Sequence, residues 1–290
     1  MKPASLFLLL ALLLLGCPRR QVAESPATSR SSPAPREITE PGWQAWLDSA
    51  GLRGCLVIFD QAANAYHSND FAWARTGQLP ASTYKIPHSL IALETGVVAS
   101  ERAVFPWDGQ PRRIKSWEAD LTLRQAFHRS CVPCYQQVAR QVGVARMRAQ
   151  LQRLGYPGMR LDSATLDQFW LQGPSRITPL QQIDFLRRLQ AGQLPLTAHT
   201  DSVARRLFLI EATDAYRLSG KTGWSIVGAQ HNGWFVGWLE TAANVYVVAT
   251  NLAPGPGYEM ANFGEARQVL TRRALRDHGG LPAAITAHQE

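Results

Sequence analysis

Lysine is nearly missing from this chain. Of its 30 basic residues, only Lys2, Lys85, Lys115 and Lys221 are lysines; the rest are arginine. Arginine stays protonated, whereas a buried lysine amine can become neutral, so each lysine is a candidate for chemistry that arginine cannot do. Metal-hydrolase patterns are missing too. Seven histidines are dispersed with no H-x-H or H-E-x-x-H spacing, so no metal ligands are assigned and a zinc hydrolase is not expected. The net charge is +8, but pairs such as Arg112-Arg113 and Arg272-Arg273 are scattered. No basic cluster is interleaved with aromatic residues, so a nucleic-acid partner is not expected. After Leu15 no apolar run approaches the roughly 20 residues of a membrane span.

What is present begins with a targeting signal. Lys2 precedes a ten-residue apolar run, "LFLLLALLLL" (Leu6 to Leu15), too short to span a bilayer stably and typical of an exported leader. Gly16-Cys17 follows, which resembles a bacterial lipoprotein signal with Cys17 as the lipidated residue. Residues 1–17 are read as the leader and 18–40, rich in Pro, Ser and Ala, as a flexible linker. Residues 41–290 are read as the folded domain. The expected location is periplasmic, with an outer-membrane tether through Cys17. Three further cysteines are Cys55, Cys131 and Cys134. An odd number leaves at least one free thiol. The Cys131-Val-Pro-Cys134 spacing admits a redox pair, a local disulfide or two buried thiols; with no thioredoxin-like βαβ pattern around it, two buried thiols is the favoured reading.

Periodicity gives the organisation. "GCLVIFD" (Gly54 to Asp60) reads as a buried strand with "AYHSN" as its return. Ser82 to Thr95, Leu121 to Phe127, Tyr135 to Leu154, Pro179 to Leu189 and Ala261 to Leu275 read as helices. "AYRLSGKTGW", "HNGWFVGWLE" and "NVYVVATNL" read as three successive strands. Strands near both ends with helices between them predict an α+β fold. Its antiparallel sheet would be built from both chain termini and flanked by helices, with a helical subdomain inserted at roughly 108–200.

Two lysines sit in suggestive places. Ser82-Thr-Tyr-Lys85 opens a predicted helix, where positions three apart share a face, so hydroxyl and amine can meet. A serine is a poor nucleophile without an adjacent base, and a solvated lysine is protonated. Lys85 must therefore be buried or chemically altered to serve. Lys221-Thr222-Gly223 lies late in a strand, where it would offer a cation, a hydroxyl and room for a substrate along the strand edge. Ser130-Cys131-Val132 alone would be a helix cap.

Together and in this order, these elements resemble the penicillin-recognising serine enzymes. "STYK", S-x-V, "FWLQG" and "KTG", with "FPWDG", "VPCYQQVARQVG" and "RITPLQQIDFLRRL", resemble class D β-lactamases of the oxacillinase type, from about Trp43 to about Leu275. The resemblance implies that Ser82 is the acylated nucleophile and that Lys85 is N6-carboxylated by carbon dioxide or bicarbonate to act as general base. It implies no other cofactor. Trp170 would donate to the carbamate, Val132 would wall its pocket, and Ser130 would relay a proton to the β-lactam nitrogen. Lys221, Thr222 and Gly223 would hold the substrate, and the Ser82 and Trp224 N–H groups would form the oxyanion hole. Arg267 would bind a substrate carboxylate, although a solvated helix face is the simpler reading of that residue alone. The family's Y-G-N is replaced by Tyr156-Pro157-Gly158, with Tyr156 expected to line the cleft. Small β-lactams are the expected partners, in a monomer or homodimer. The alternative is a sensor-like or transpeptidase-like protein that is acylated and deacylates slowly.

Overall fold

The structure, a computed structural model, describes residues 33–282. The leader, Cys17 and most of the linker lie outside the described residues. The first strand, β1 (Arg36–Thr39), falls within the segment read as linker. Its parallel pairing with β3 orders a stretch whose composition alone gives no reason to fold. Then follow α1 (Pro41–Ser49), β2 (Leu52–Asp60), β3 (Ala65–Ser68) and the short α2 (Phe71–Ala74). A 3-10 turn (Ala81–Tyr84) runs directly into α3 (Lys85–Glu94). A small hairpin, β4 (Val104–Phe105) with β5 (Leu121–Thr122), precedes α4 (Leu123–His128), α5 (Val132–Val142) and α6 (Val144–Leu154). After a long loop come α7 (Pro179–Gln190) and α8 (Ala198–Leu207), then four strands and a helix. These are β6 (Leu209–Ala212), β7 (Tyr216–Val227), β8 (Gln230–Thr241) and β9 (Val245–Pro254), then α9 (Phe263–Asp277).

The main sheet has the order β1-β3-β2-β9-β8-β7-β6. Strand β2 from the first half pairs with β9 from the last, so both ends of the domain build one sheet. Neighbours are antiparallel except at the edge, where β1 runs parallel to β3; the sheet is mixed rather than wholly antiparallel. Period-two alternation gives it two apolar faces. Leu52, Leu56, Ile58, Phe235, Leu239 and Val248 pack with Trp43 and Leu47 of α1 and with Phe263, Leu270 and Leu275 of α9. Val57, Phe59, Trp234, Val236, Trp238 and Val247 join the larger core that holds the other helices.

Two sequence expectations need correction. The helix expected over Tyr135 to Leu154 is two helices, because Gly143 adopts φ +76° between them, a conformation that ends α5. Within the 108–200 range, α7 packs on β2, β8 and β9 and belongs to the sheet layers, whereas α5, α6 and α8 gather around α3. Two capping boxes fix the register of helix starts: Thr122 with Gln125 for α4, and Thr178 with Gln181, followed by Pro179, for α7. Among the described residues no helix is long and apolar enough to cross a membrane.

Candidate active site

Ser82 sits in the 3-10 turn, not within α3 as the sequence suggested. The preceding Ala81 has φ +51°, a left-handed conformation that costs energy in a residue with a side chain. The surrounding structure holds the turn in place. Asn232 Nδ2 and Trp234 Nε1 both donate to the Leu79 carbonyl at 2.9 Å. On the other side, Tyr156 donates to Gln182 (3.3 Å), Gln182 to Thr83 Oγ1 (2.9 Å) and Thr83 to the Pro80 carbonyl (2.7 Å). This directional chain explains Tyr156. It is buried against Tyr84 and Phe185 and lies outside the cleft, so the expectation that it lines the site is corrected. Tyr156 steadies the segment that carries Ser82.

Lys85 is fully buried at the start of α3, and its Nζ donates to Ser82 Oγ at 3.1 Å. No carboxylate pairs with it among the described residues. Burial favours the neutral amine and lowers its pKa to about 7. The chamber around it is aromatic: Nζ lies 4.9 Å from the Tyr135 ring centre. His88, one helical turn on, has its ring 5.2 Å from each of Tyr84, Tyr135 and Trp170. Trp170 Nε1 and both ring nitrogens of His88 are buried without a hydrogen-bond partner. Buried polar groups are normally paired, so the Trp170 N–H and the His88 ring that packs against it are unsatisfied hydrogen-bonding groups within this aromatic cluster. Trp170 is thus a wall of this chamber and not of the open cleft. His88 was missed by sequence reading, although its i+3 spacing from Lys85 places both on one helix face.

The second serine and lysine meet across the cleft. Lys221 on β7 donates to Ser130 Oγ at 2.5 Å, and to the Thr222 carbonyl and hydroxyl at 3.1 and 3.3 Å. Lys221 is buried, and burial, the Lys85 charge and the Arg267 charge push its pKa well down. Lys115, in contrast, is exposed and pairs with Glu118; it is the lysine to which the scarcity argument does not extend. Ser130 has φ +54° and is followed by Cys131, which is bonded to Cys134. The reading of two buried thiols is therefore corrected. Their Cα atoms stand 5.6 Å apart, within the span a disulfide needs, because one turn of α5 brings positions three apart together. Among the described residues Cys55 is the free, buried thiol.

The cleft has a volume of about 510 Å³, ordinary for a small-molecule site. Ser82, Ser130, Thr222, Gly223, Trp224 and Arg267 line it, and so does Val132, which was expected to wall the Lys85 pocket. The cleft is also lined by Leu171 of the FWLQG motif and by Ile114, Trp117 and Ile226, apolar residues outside the quoted motifs. Gly223 serves a purpose beyond substrate access. A Cβ there would stand 3.0 Å from the Thr83 side chain and 3.2 Å from its backbone nitrogen, so glycine lets β7 lie against the Ser82 turn. Arg267 reaches from α9 to donate to the Gly223 carbonyl, with its guanidinium 5.6 Å from the Trp224 ring centre. It is not a solvated residue: burial lowers its pKa to about 10, and its Nε has no partner.

A nucleophile, a burial-neutralised amine beneath it, a Ser–Lys pair opposite and a cation in the wall make up an acyl-transfer site. The comparisons agree. Residues 60–274 match the family model described as the penicillin binding protein transpeptidase domain. Beta-lactamase OXA-10 of Pseudomonas aeruginosa is 39% identical over 219 residues, 74% of this chain and 82% of that protein. Beta-lactamase OXA-48 of Klebsiella pneumoniae is 37% identical over 244 residues, 83% of this chain and 89% of that protein. The crystal structure of the class D beta-lactamase YbXI from Nostoc superposes with a TM-score of 0.78 at 38% identity, covering 82% of this chain and 99% of that one. With the serine–lysine geometry and these relatives together, the chain belongs to the class D β-lactamases.

Proposed function

We propose that this enzyme hydrolyses β-lactams through an ester on Ser82, and that Lys85 works as an N-carboxylated lysine. The carrying observation is the surroundings of Lys85: a buried amine 3.1 Å from Ser82 Oγ, without a carboxylate partner, in an aromatic cluster where the Trp170 indole N–H, packed on Tyr84 and His88, has no acceptor. A neutral amine can add carbon dioxide with loss of a proton, and the resulting carbamate would supply an oxygen base in the position the mechanism needs. Trp170 Nε1 is suited to donate to it.

The rest follows from the chain's own groups. Ser82 Oγ gives up its proton and attacks the lactam carbonyl carbon. Arg267 and Thr222 hold the substrate's carboxylate side. The N–H groups of Ser82 and Trp224, on elements that Gly223 allows to touch, would receive the oxyanion. The ring C–N bond breaks, Ser130, hydrogen-bonded to Lys221, passes its proton to the leaving nitrogen, and the proton that the base took from Ser82 returns to Ser130, which leaves the base free. Water then attacks the ester, gives its proton to the base, and the Ser82 hydroxyl is restored. The exposed apolar mouth suits substrates with bulky side chains.

Two measurements test this reading. In intact-mass kinetics with benzylpenicillin, a Ser82 adduct should form and vanish as hydrolysed product accumulates; an adduct that persists would indicate the sensor-like or transpeptidase-like alternative. With 13C-labelled bicarbonate, one carbamate carbon resonance should appear, and Lys85→Ala should lack it. Full turnover with no such resonance would overturn the carboxylated-lysine step. Export and acylation of Cys17 also stand as proposals, supported by the apolar leader sequence and by the Cys131–Cys134 disulfide, which suits an oxidising compartment. Failure of Cys17 to incorporate labelled fatty acid in the native host would refute the lipid tether.

A further inference from the structure

At the opposite edge of the sheet, four residues distant in sequence converge. Glu40 lies between β1 and α1, His67 on β3, Asp60 at the end of β2, and His278 just after α9. One ligand atom each from Glu40, His67 and His278 lies within 4.8 Å of the others. His67 Nδ1 is 2.7 Å from Glu40 Oε1, and the two imidazole rings are 4.0 Å apart, centre to centre. His278 Nε2 stands 3.7 Å from Asp60 Oδ2, too far for a hydrogen bond. Asp60 Oδ1 is already held by the Ala63 N–H and by Asn244, which leaves Oδ2 toward His278. Trp43 and Tyr246 pack edge-on against the His278 ring and fix its plane.

We infer that this cluster is a structural binding site for a divalent transition-metal ion of the zinc class. Two imidazoles with a carboxylate are a zinc donor set. Ligand atoms about 2.0–2.1 Å from a tetrahedral ion lie roughly 3.3 Å from one another, so small side-chain adjustments bring these atoms into range. Asp60 is the fourth ligand or the carboxylate that orients His278 from behind. The two carboxylates of Glu40 and Asp60 neutralise a divalent charge, and nitrogen donors favour zinc over magnesium or calcium. His67 is only 7% exposed, so its ring is already positioned by the core. The strand order puts β3 four strands from β7, about 19 Å across the sheet from the cleft strand. The ion therefore has no part in hydrolysis. It ties residues 40, 60 and 67 to residue 278, the first and last parts of the folded domain.

The test uses the chain without an affinity tag, stripped with a chelator. Titration with Zn2+ should show one saturable site with a micromolar or tighter dissociation constant. Co2+ should give the visible absorption bands of a tetrahedral N/O site. At about 100 times the dissociation constant the thermal midpoint should rise by roughly 5–10 °C, with β-lactam turnover unchanged by metal or chelator. Glu40→Gln and His278→Gln, made separately, should each weaken binding at least tenfold and abolish the shift. Absence of saturable binding, or binding that survives both substitutions, would overturn the site.

Discussion

Lys85 lies beneath Ser82 with its amine 3.1 Å from the hydroxyl, and its pKa falls to about 7 through burial alone. The neutral, reactive amine therefore dominates above about pH 7. Near pH 6 only about a tenth of it stays neutral. In bicarbonate-depleted buffer, turnover should fall as pH drops through 7 and recover when pH and bicarbonate are restored. The stability effect has the same sign. The unfolded lysine titrates near 10.4, so between about pH 7 and 10 the unfolded state holds more protons and stability rises with pH; below 7 the full penalty of burying the charge is present. A full rate that stays undiminished from about pH 5 to 9 without bicarbonate would remove the carboxylated Lys85 from the base role.

Trp170 separates structure from chemistry. Its indole nitrogen is buried and unpaired, so in bicarbonate-free protein Trp170→Phe removes an unsatisfied donor worth about 1–3 kcal/mol and offsets much of the cost of the smaller ring. Stability without bicarbonate should change little, whereas half-activation should need about tenfold more bicarbonate. Equal bicarbonate dependence in both proteins would show that the indole does not hold the modified lysine.

These residues also show what the sequence could and could not reveal. Ser82, Lys85, Ser130 and Lys221 were legible because short motifs with fixed spacing name them, Arg267 only through the family resemblance, and the structure gathers all five. The sheet was legible from alternation. Less visible was whatever depends on tertiary partners. Strand β1 exists because β3 accepts it. The role of Tyr156 depends on Gln182, which is 26 residues away. The Cys131–Cys134 bond depends on α5 starting one residue after Cys131. His88 looked like one more residue of a buried helix, and only the surrounding rings show that it shares the Lys85 chamber.

The Tyr156–Gln182–Thr83 chain holds the nucleophile's turn. Gln182→Leu would take the acceptor from the buried Tyr156 hydroxyl and a donor from Thr83 Oγ1, which keeps its own bond to the Pro80 carbonyl. The expected cost is about 1–3 kcal/mol, read as a lower thermal midpoint. Because the strained Ala81 conformation beside Ser82 loses its support, kcat should fall more than KM changes. A variant with reduced stability and unaltered kcat would limit the chain to a purely structural role.

The Cys131–Cys134 bond sits between Ser130 and the body of α5. Closing so short a loop limits the unfolded chain by about 2 kcal/mol in the loop-entropy treatment. The double Cys131→Ser, Cys134→Ser variant should unfold several degrees earlier. Proton delivery should slow as well, since the left-handed Ser130 conformation is anchored by that turn. If the variant keeps the parent's thermal midpoint, the bond contributes nothing to the fold; if it keeps the parent's rate, Ser130 is held by Lys221 alone.

Arg267 offers the sharpest division between binding and catalysis. It lines the cleft, donates to the Gly223 carbonyl and keeps an unpaired Nε in a largely desolvated wall. A charge-assisted hydrogen bond to a substrate carboxylate is worth about 1.5–3 kcal/mol, so Arg267→Ala should lower kcat/KM by roughly 10- to 150-fold, chiefly through KM. Lysine should not restore it, because a single ammonium cannot serve the Gly223 carbonyl and a carboxylate in the fixed fork geometry of a guanidinium. A substrate analogue esterified at its carboxylate should be nearly indifferent to the substitution. An equal loss for acid and ester would mean that Arg267 acts by bracing β7 against the Ser82 turn, and the carboxylate site would have to lie elsewhere in the cleft.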